Sequence, residues 1–117
     1  MAAIGERDLR RRIERMIENV QEEVKGALTE SALLVERDAK IKVPVDTGRL
    51  RSSISHSEEF EADNPAVVVG TNTEYASYIE LGTSRQAAKP FLYPALSENR
   101  QRIQRKIAES VRRGAGL

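Results

Sequence analysis

MAAIGERDLRRRIERMIENVQEEVKGALTESALLVERDAKIKVP, residues 1–44, is the stretch on which the architecture of this chain turns. Leu9, Ile13, Met16, Ile17, Val20, Val24, Ala27, Leu28, Leu34 and Val35 recur in it at steps of three and four. Residues so spaced stand over one another on a helix of 3.6 residues per turn, so the pattern draws one apolar stripe along one face. Gly26 weakens the middle of the run without interrupting it. The run stops at Val43-Pro44, because the residue before a proline is pushed out of the helical region. The reading is one long helix over 1–42, roughly 50 Å from end to end at 1.5 Å per residue.

A compact chain of this length has a radius of gyration near 13 Å and hence a diameter of about 35 Å. The rod outgrows the body that carries it. Its stripe is then expected to find burial against another subunit. The alternative is a helix that bends or splits near Gly26 and folds back on itself.

A length of 117 residues suits a single domain, 1–117, with a modest core. Hydrophobic residues make up 39% and aromatics only 4%, so Val, Ile, Leu and Ala must build that core. There is no cysteine, which excludes disulfides and thiolate metal sites. His56 is the only histidine, too few for the usual zinc site. No metal or cofactor is expected. No apolar run approaches the roughly 20 residues that cross a bilayer, and no membrane partner is expected. Glu6, Arg7 and Asp8 so close to Met1 leave no room for a signal peptide, which points to synthesis in a cytoplasm.

The net charge of +1 hides a polarised distribution. From Ser97 onward Arg100, Arg102, Arg105, Lys106, Arg112 and Arg113 face only Glu98 and Glu109, whereas Glu58, Glu59, Glu61 and Asp63 make the 57–64 stretch acidic. Such surfaces can pair between neighbouring molecules, or simply remain solvated.

Beyond the first helix the chain reads as α+β. Residues 43–51 form a turn capped by Asp46 or Thr47, whose side-chain oxygens suit the amides opening a short helical turn. Residues 52–71 make a β-hairpin: Ile54, His56 and Phe60 are evenly spaced, Asp63-Asn64-Pro65 turns, and Ala66–Val69 run to Gly70. Over 72–89 a short element, Tyr75–Leu81, is either helix or strand, and a mobile loop follows from Gly82 to Lys89. A last helix, 90–113, opens at Pro90 and presents Leu96, Ile103, Ile107 and Val111 before Gly114 and Gly116 end it.

Few residues invite catalysis. Asp46-Thr47-Gly48 is the triplet of retroviral-type aspartic proteases, in which two subunits' carboxylates share a proton. Here a helix and a proline precede it where a strand is needed, and Arg49 follows where a small residue belongs. Ser52, Ser53 and Ser55 near His56 form no nucleophile elbow. Gly70-Thr71 and Gly82-Thr83 lack the lysine of a phosphate loop. The Glu58–Asp63 cluster lacks calcium-loop spacing. The basic last helix allows phosphate contacts, but no nucleic-acid module accompanies it. No enzyme is read here.

Two segments resemble a known family. One is Val43-Pro44-Val45-Asp46-Thr47-Gly48-Arg49-Leu50-Arg51-Ser52-Ser53-Ile54. The other is Val69-Gly70-Thr71-Asn72, then Tyr75–Thr83, then Pro90-Phe91-Leu92-Tyr93-Pro94-Ala95-Leu96. Together, over roughly residues 30–100, they resemble the small tail-component proteins of HK97-type long-tailed phages and prophages. The resemblance implies a structural virion protein of the neck or tail, without catalytic residues. It would act as a ring around the DNA channel that joins head to tail or completes the tail, assembled in the host cytoplasm. The expected partners are its own copies, sixfold by the way tails are built, and an adjoining head-closure, tail-terminator or tail-tube protein. DNA would meet it only in passing. The rival reading is a DNA-binding accessory protein that uses the basic last helix.

On this reading Pro44, Asp46, Thr47, Gly48, Arg49, Leu50 and Gly70 are scaffold positions. Tyr75, Tyr78, Glu80, Gly82, Thr83, Arg85, Lys89, Pro90 and Phe91 are the candidate interface. The aromatics among them suit either an interface or core packing. Glu80, between Ile79 and Leu81, is expected half-buried and in need of a partner such as Arg49 or Arg85.

Overall fold

The computed structural model describes residues 3, 5–44, 48–61 and 64–117, and in it the N-terminal pattern is one helix, α1 (Glu6–Lys42). Gly26 lies inside that helix with open space where a side chain would be, and marks no split. Glu6 and Asp8 in the first turn and Lys40 and Lys42 in the last oppose the helix dipole favourably. Val43 ends it in an extended conformation (ψ 137°), as Pro44 demands.

A short helix α2 (Arg49–Ser53), strands β1 (Ser55–Glu59) and β2 (Ala66–Gly70), a short helix α3 (Ala76–Leu81) and a long helix α4 (Leu92–Ala115) follow. The strands form a two-stranded antiparallel sheet with Ser55 opposite Gly70 and Glu59 opposite Ala66. The class is therefore α+β, as read.

Several boundaries move, each for a local reason. The hairpin begins at Ser55 rather than residue 52. Ser52 and Ser53 belong to α2, where their hydroxyls donate to the carbonyls of Arg49 and Leu50 at 3.0 and 2.7 Å. Phe60 falls just beyond β1 and lies under the Lys25 ammonium, 5.8 Å from the ring centroid. Tyr75–Leu81 resolves to helix. The last helix opens at Leu92, not Pro90, and Gly114 sits inside it; Gly116, at φ 79°, is the cap.

The core gathers where α1, α2, α3 and the start of α4 meet, around Phe91, Ile54, Leu50, Val35, Ala39 and Ala95. α4 then runs antiparallel along α1 on a seam of small residues: Ala27, Ser31, Ala32 and Ala39 on α1, and Ala95, Asn99, Ser110 and Gly114 on α4. At Gly114 a Cβ would stand 2.6 Å from the Val20 backbone nitrogen, so glycine permits backbone-to-backbone approach there. The register is legible in four contacts: Lys42–Glu98 (2.8 Å), Asn99–Asp38 (2.6 Å), Lys106–Glu30 (3.3 Å) and Arg113–Glu23 (3.2 Å).

With that register α4 ends opposite Val20. Every residue from Glu6 to Asn19 is exposed, an overhang of about 21 Å. The radius of gyration is 19.7 Å and the extents are 76 × 24 × 23 Å. A compact chain would have a radius near 13 Å. The molecule is a rod.

Candidate assembly surfaces

The second motif folds around Glu80. Its Oε1 accepts from the amides of Phe91 and Leu92 at 3.1 and 2.8 Å, and its Oε2 accepts from Tyr93 at 3.3 Å. These amides open α4, which has no acidic residue in its first turn and no side-chain cap of its own. The half-buried carboxylate thus caps α4 from outside, where unpaired amides and the helix dipole both favour negative charge. Sequence reasoning looked for a partner such as Arg49 or Arg85; the backbone amides of Phe91, Leu92 and Tyr93 supply hydrogen bonds that residue type alone does not announce.

The loop between α3 and α4 is built rather than slack. The Thr83 hydroxyl accepts from the amides of Arg85 and Gln86 at 3.2 and 3.1 Å, and Lys89 donates its amide to the Ile79 carbonyl at 2.8 Å. Gly82 has φ 77°, and a Cβ there would lie 2.7 Å from the Ala88 nitrogen. Pro44, Ile79, Gln86 and Lys89 enclose a small cavity, so the two sequence motifs meet in space. The turn is compact because one threonine side chain satisfies two of its amides.

Of the scaffold residues, Leu50 is buried in the core, and Pro44 and Gly70 are half-buried. Gly48 precedes α2 in the left-handed region at φ 75°, and exposed Arg49 opens that helix. Asp46 and Thr47, the expected caps, lie outside the described residues. Of the interface candidates, Phe91 is wholly inside the core, which corrects that assignment for it. Tyr75 packs half-buried against the same core. Tyr78, Thr83, Arg85, Lys89 and Pro90 are exposed, and Leu81 and Tyr93 join them on the surface.

Electrostatics tie the elements together. His56 Nδ1 lies 2.8 Å from Glu36 Oε2, and Lys40 reaches the other oxygen at 3.2 Å. Burial works to raise the Glu36 pKa, but the bonds from His56 and Lys40 prevail and hold it below the usual range. The Asn99 amide, bonded to Asp38, keeps that carboxyl low against its own desolvation. On α4, Lys106 and Arg113 are engaged by Glu30 and Glu23 of α1. Part of the basic character of the last helix is thus answered within the chain.

Two surfaces escaped the residue list drawn from sequence. One is the overhang, where Leu9, Ile13, Met16 and Ile17 are 44–51% exposed. The stripe was legible, but not where α4 would stop covering it. The other is an open apolar groove of about 340 Å³. Leu28 and Ala32 of α1 floor it, Val67 and Val69 of β2 form one wall, and Leu96 and Ile103 of α4 form the other. Nothing local signals it, since it arises from three elements far apart in sequence.

Among known families, residues 7–82 match the one described as "Bacteriophage HK97-gp10, putative tail-component". The match takes in α1, α2, both strands and α3, and ends before the Pro90–Leu96 segment of the second motif. No curated protein and no solved structure matches the chain. With residues 7–82 of 117 inside the match, the chain belongs to the HK97-gp10-like family of bacteriophage tail components.

Proposed function

We propose that this protein is a structural subunit of a phage neck or tail, without catalytic activity, which assembles with its own copies into a ring. The ring joins head to tail or completes the tail, and its neighbours are a head-closure, tail-terminator or tail-tube protein. Family membership supports the tail role. The observation that carries the assembly role is the overhang: fourteen exposed residues, Glu6–Asn19, whose apolar side chains lie beyond the end of α4. Contiguous apolar surface of this kind marks an interaction site. Copies would meet along α1 and the hairpin, and the turn at Gly82–Lys89, with Tyr78 and Arg85 exposed beside it, would face the adjoining layer. Many modest contacts repeated around a ring sum to a durable joint. DNA passes through without strong cationic contact.

The test is a stop codon in the coding sequence of the parent phage or prophage. Electron microscopy should show heads and tails that remain separate, and joining should return when the protein is supplied in trans. Normally joined, infectious particles made without the chain would overturn the proposal.

A further inference from the structure

The overhang and the groove lie on the same straight helix. The groove floor is Leu28 and Ala32, and the overhang stripe is Leu9, Ile13, Met16 and Ile17, roughly three to six turns further toward the N-terminus. A continuous helix cannot bend its own tip into its own middle, so neither surface can cover the other within one molecule. Both remain open in the monomer.

Their chemistry is complementary. Over Glu6–Asn19 the overhang carries Arg7, Arg10, Arg11, Arg12 and Arg15 against Glu6, Asp8, Glu14 and Glu18, with Arg10 reaching Glu6 at 3.5 Å. Arg10 and Arg12 border the apolar stripe at 100° per residue. The hairpin that walls the groove carries Glu58, Glu59 and Glu61 and no lysine or arginine. The hairpin end sits beside Lys25, about 15 Å along the rod from Arg15 by helical rise, so the two charged ends do not neutralise each other in one chain. The stripe is made of unbranched or branched aliphatic side chains without polar atoms, the kind of knob an apolar cleft takes.

We infer that the α1 overhang of one copy docks into the α1–β2–α4 groove of the next. Leu9, Ile13 and Met16 enter the cleft, and the arginines face the neighbour's hairpin glutamates. This rests on the ring reading above and specifies its contact. Because tip and groove are different patches, the contact is heterologous: it closes into a ring when the rotation allows and runs on as a filament otherwise. A tip-to-tip helix pair would instead produce closed dimers.

The chain has no cysteine, which makes the contact directly testable. Ile13→Cys and Leu96→Cys replace side chains 47% and 46% exposed, so neither disturbs the core. Phage particles carrying the double variant are treated with a short bismaleimide, with Gln101→Cys paired to Ile13→Cys as an off-groove control. The expected result is a ladder of cross-linked multimers for Ile13/Leu96, with each single variant and the control staying at monomer. Ile13→Cys alone yielding dimers would replace the inference by tip-to-tip pairing. Particles that contain the chain but give no ladder would overturn the contact while leaving the ring standing. Absence of the unaltered chain from particles would instead overturn the ring reading itself.

Discussion

Replacing Glu80 tests whether one side chain on α3 holds the start of α4. The carboxylate receives three amide bonds, two of them short, from Phe91 and Leu92. Hydrogen bonds to a charged group contribute about 1.5–3 kcal/mol each, but amides at a helix start recover water when exposed. The Tyr93 bond is long and its residue exposed, so it adds little. The Phe91 amide belongs to a residue with no exposed surface and recovers least. Loss of a cap costs about 1 kcal/mol in general. With the buried amide added, Glu80→Ala should cost about 2–3 kcal/mol. Glu80→Gln keeps an oxygen acceptor and loses the charge that answers the helix dipole, so it should cost about 1 kcal/mol.

Urea unfolding followed by circular dichroism reads both values as a shift in midpoint at unchanged slope. Amide hydrogen exchange at residues 91–93 should speed up in step, because the opening lies there. A Glu80→Ala protein within about 0.5 kcal/mol of the parent would refute the capping argument, whatever the distances say. Glutamine as harmful as alanine would show that charge carries the whole effect and the acceptor oxygen none.

Gly114→Val should destabilise by about 1–3 kcal/mol in the same urea assay, although valine ordinarily favours helix over glycine, because its side chain meets the Val20 backbone. Gly82→Ala should cost more than Gly48→Ala: both have positive φ, but only at Gly82 does a Cβ strike neighbouring backbone. Thermal unfolding of the pair checks that order. Stability should fall on acidification below about pH 4.5. Glu36 and Asp38 are held under their ordinary values of 4.5 and 3.8, so their contribution is full above those values and is lost as pH drops through the folded-state ones. Asn99→Ala removes the bond that lowers Asp38 and should flatten that acid limb in urea midpoints taken from pH 3 to 6.

How much could be read in advance depended on the range of the forces involved. α1 repeats one pattern over 37 residues, so no local accident could mask it, and α4 is nearly as regular. The start of the hairpin was misplaced because Ser52 and Ser53 satisfy carbonyls three residues back, a competition that residue type alone does not decide. Glu80 was marked correctly as needing a partner, yet its partners lie eleven to thirteen residues away across a turn. A carboxylate flanked by Ile79 and Leu81 says that something must answer it, not what. Gly114 looked like a helix stop because glycine near a helix end usually is one. Only the approach of α1, ninety-odd residues earlier in the chain, gives it a different task.

The apolar stripe of α1 is not one material along its length. From Ala27 to Ala39 the buried positions are Ala, Ser, Ala, Val and Ala, small enough to bring the α4 backbone close. Small side chains bury little area each, so this seam gains from close approach and from satisfied hydroxyls such as Ser31 and Ser110 rather than from bulk. From Leu9 to Ile17 the same face carries Leu, Ile, Met and Ile, which would hold two backbones apart. Had these large residues evolved only to meet α4, α4 would need to be longer and its end wider than Gly114 allows. Bulky knobs on a bare overhang suit a cleft with walls set apart, and the cleft between β2 and α4 has that shape. Size grading along a single helix thus separates the part that packs against α4 from the part that α4 leaves bare.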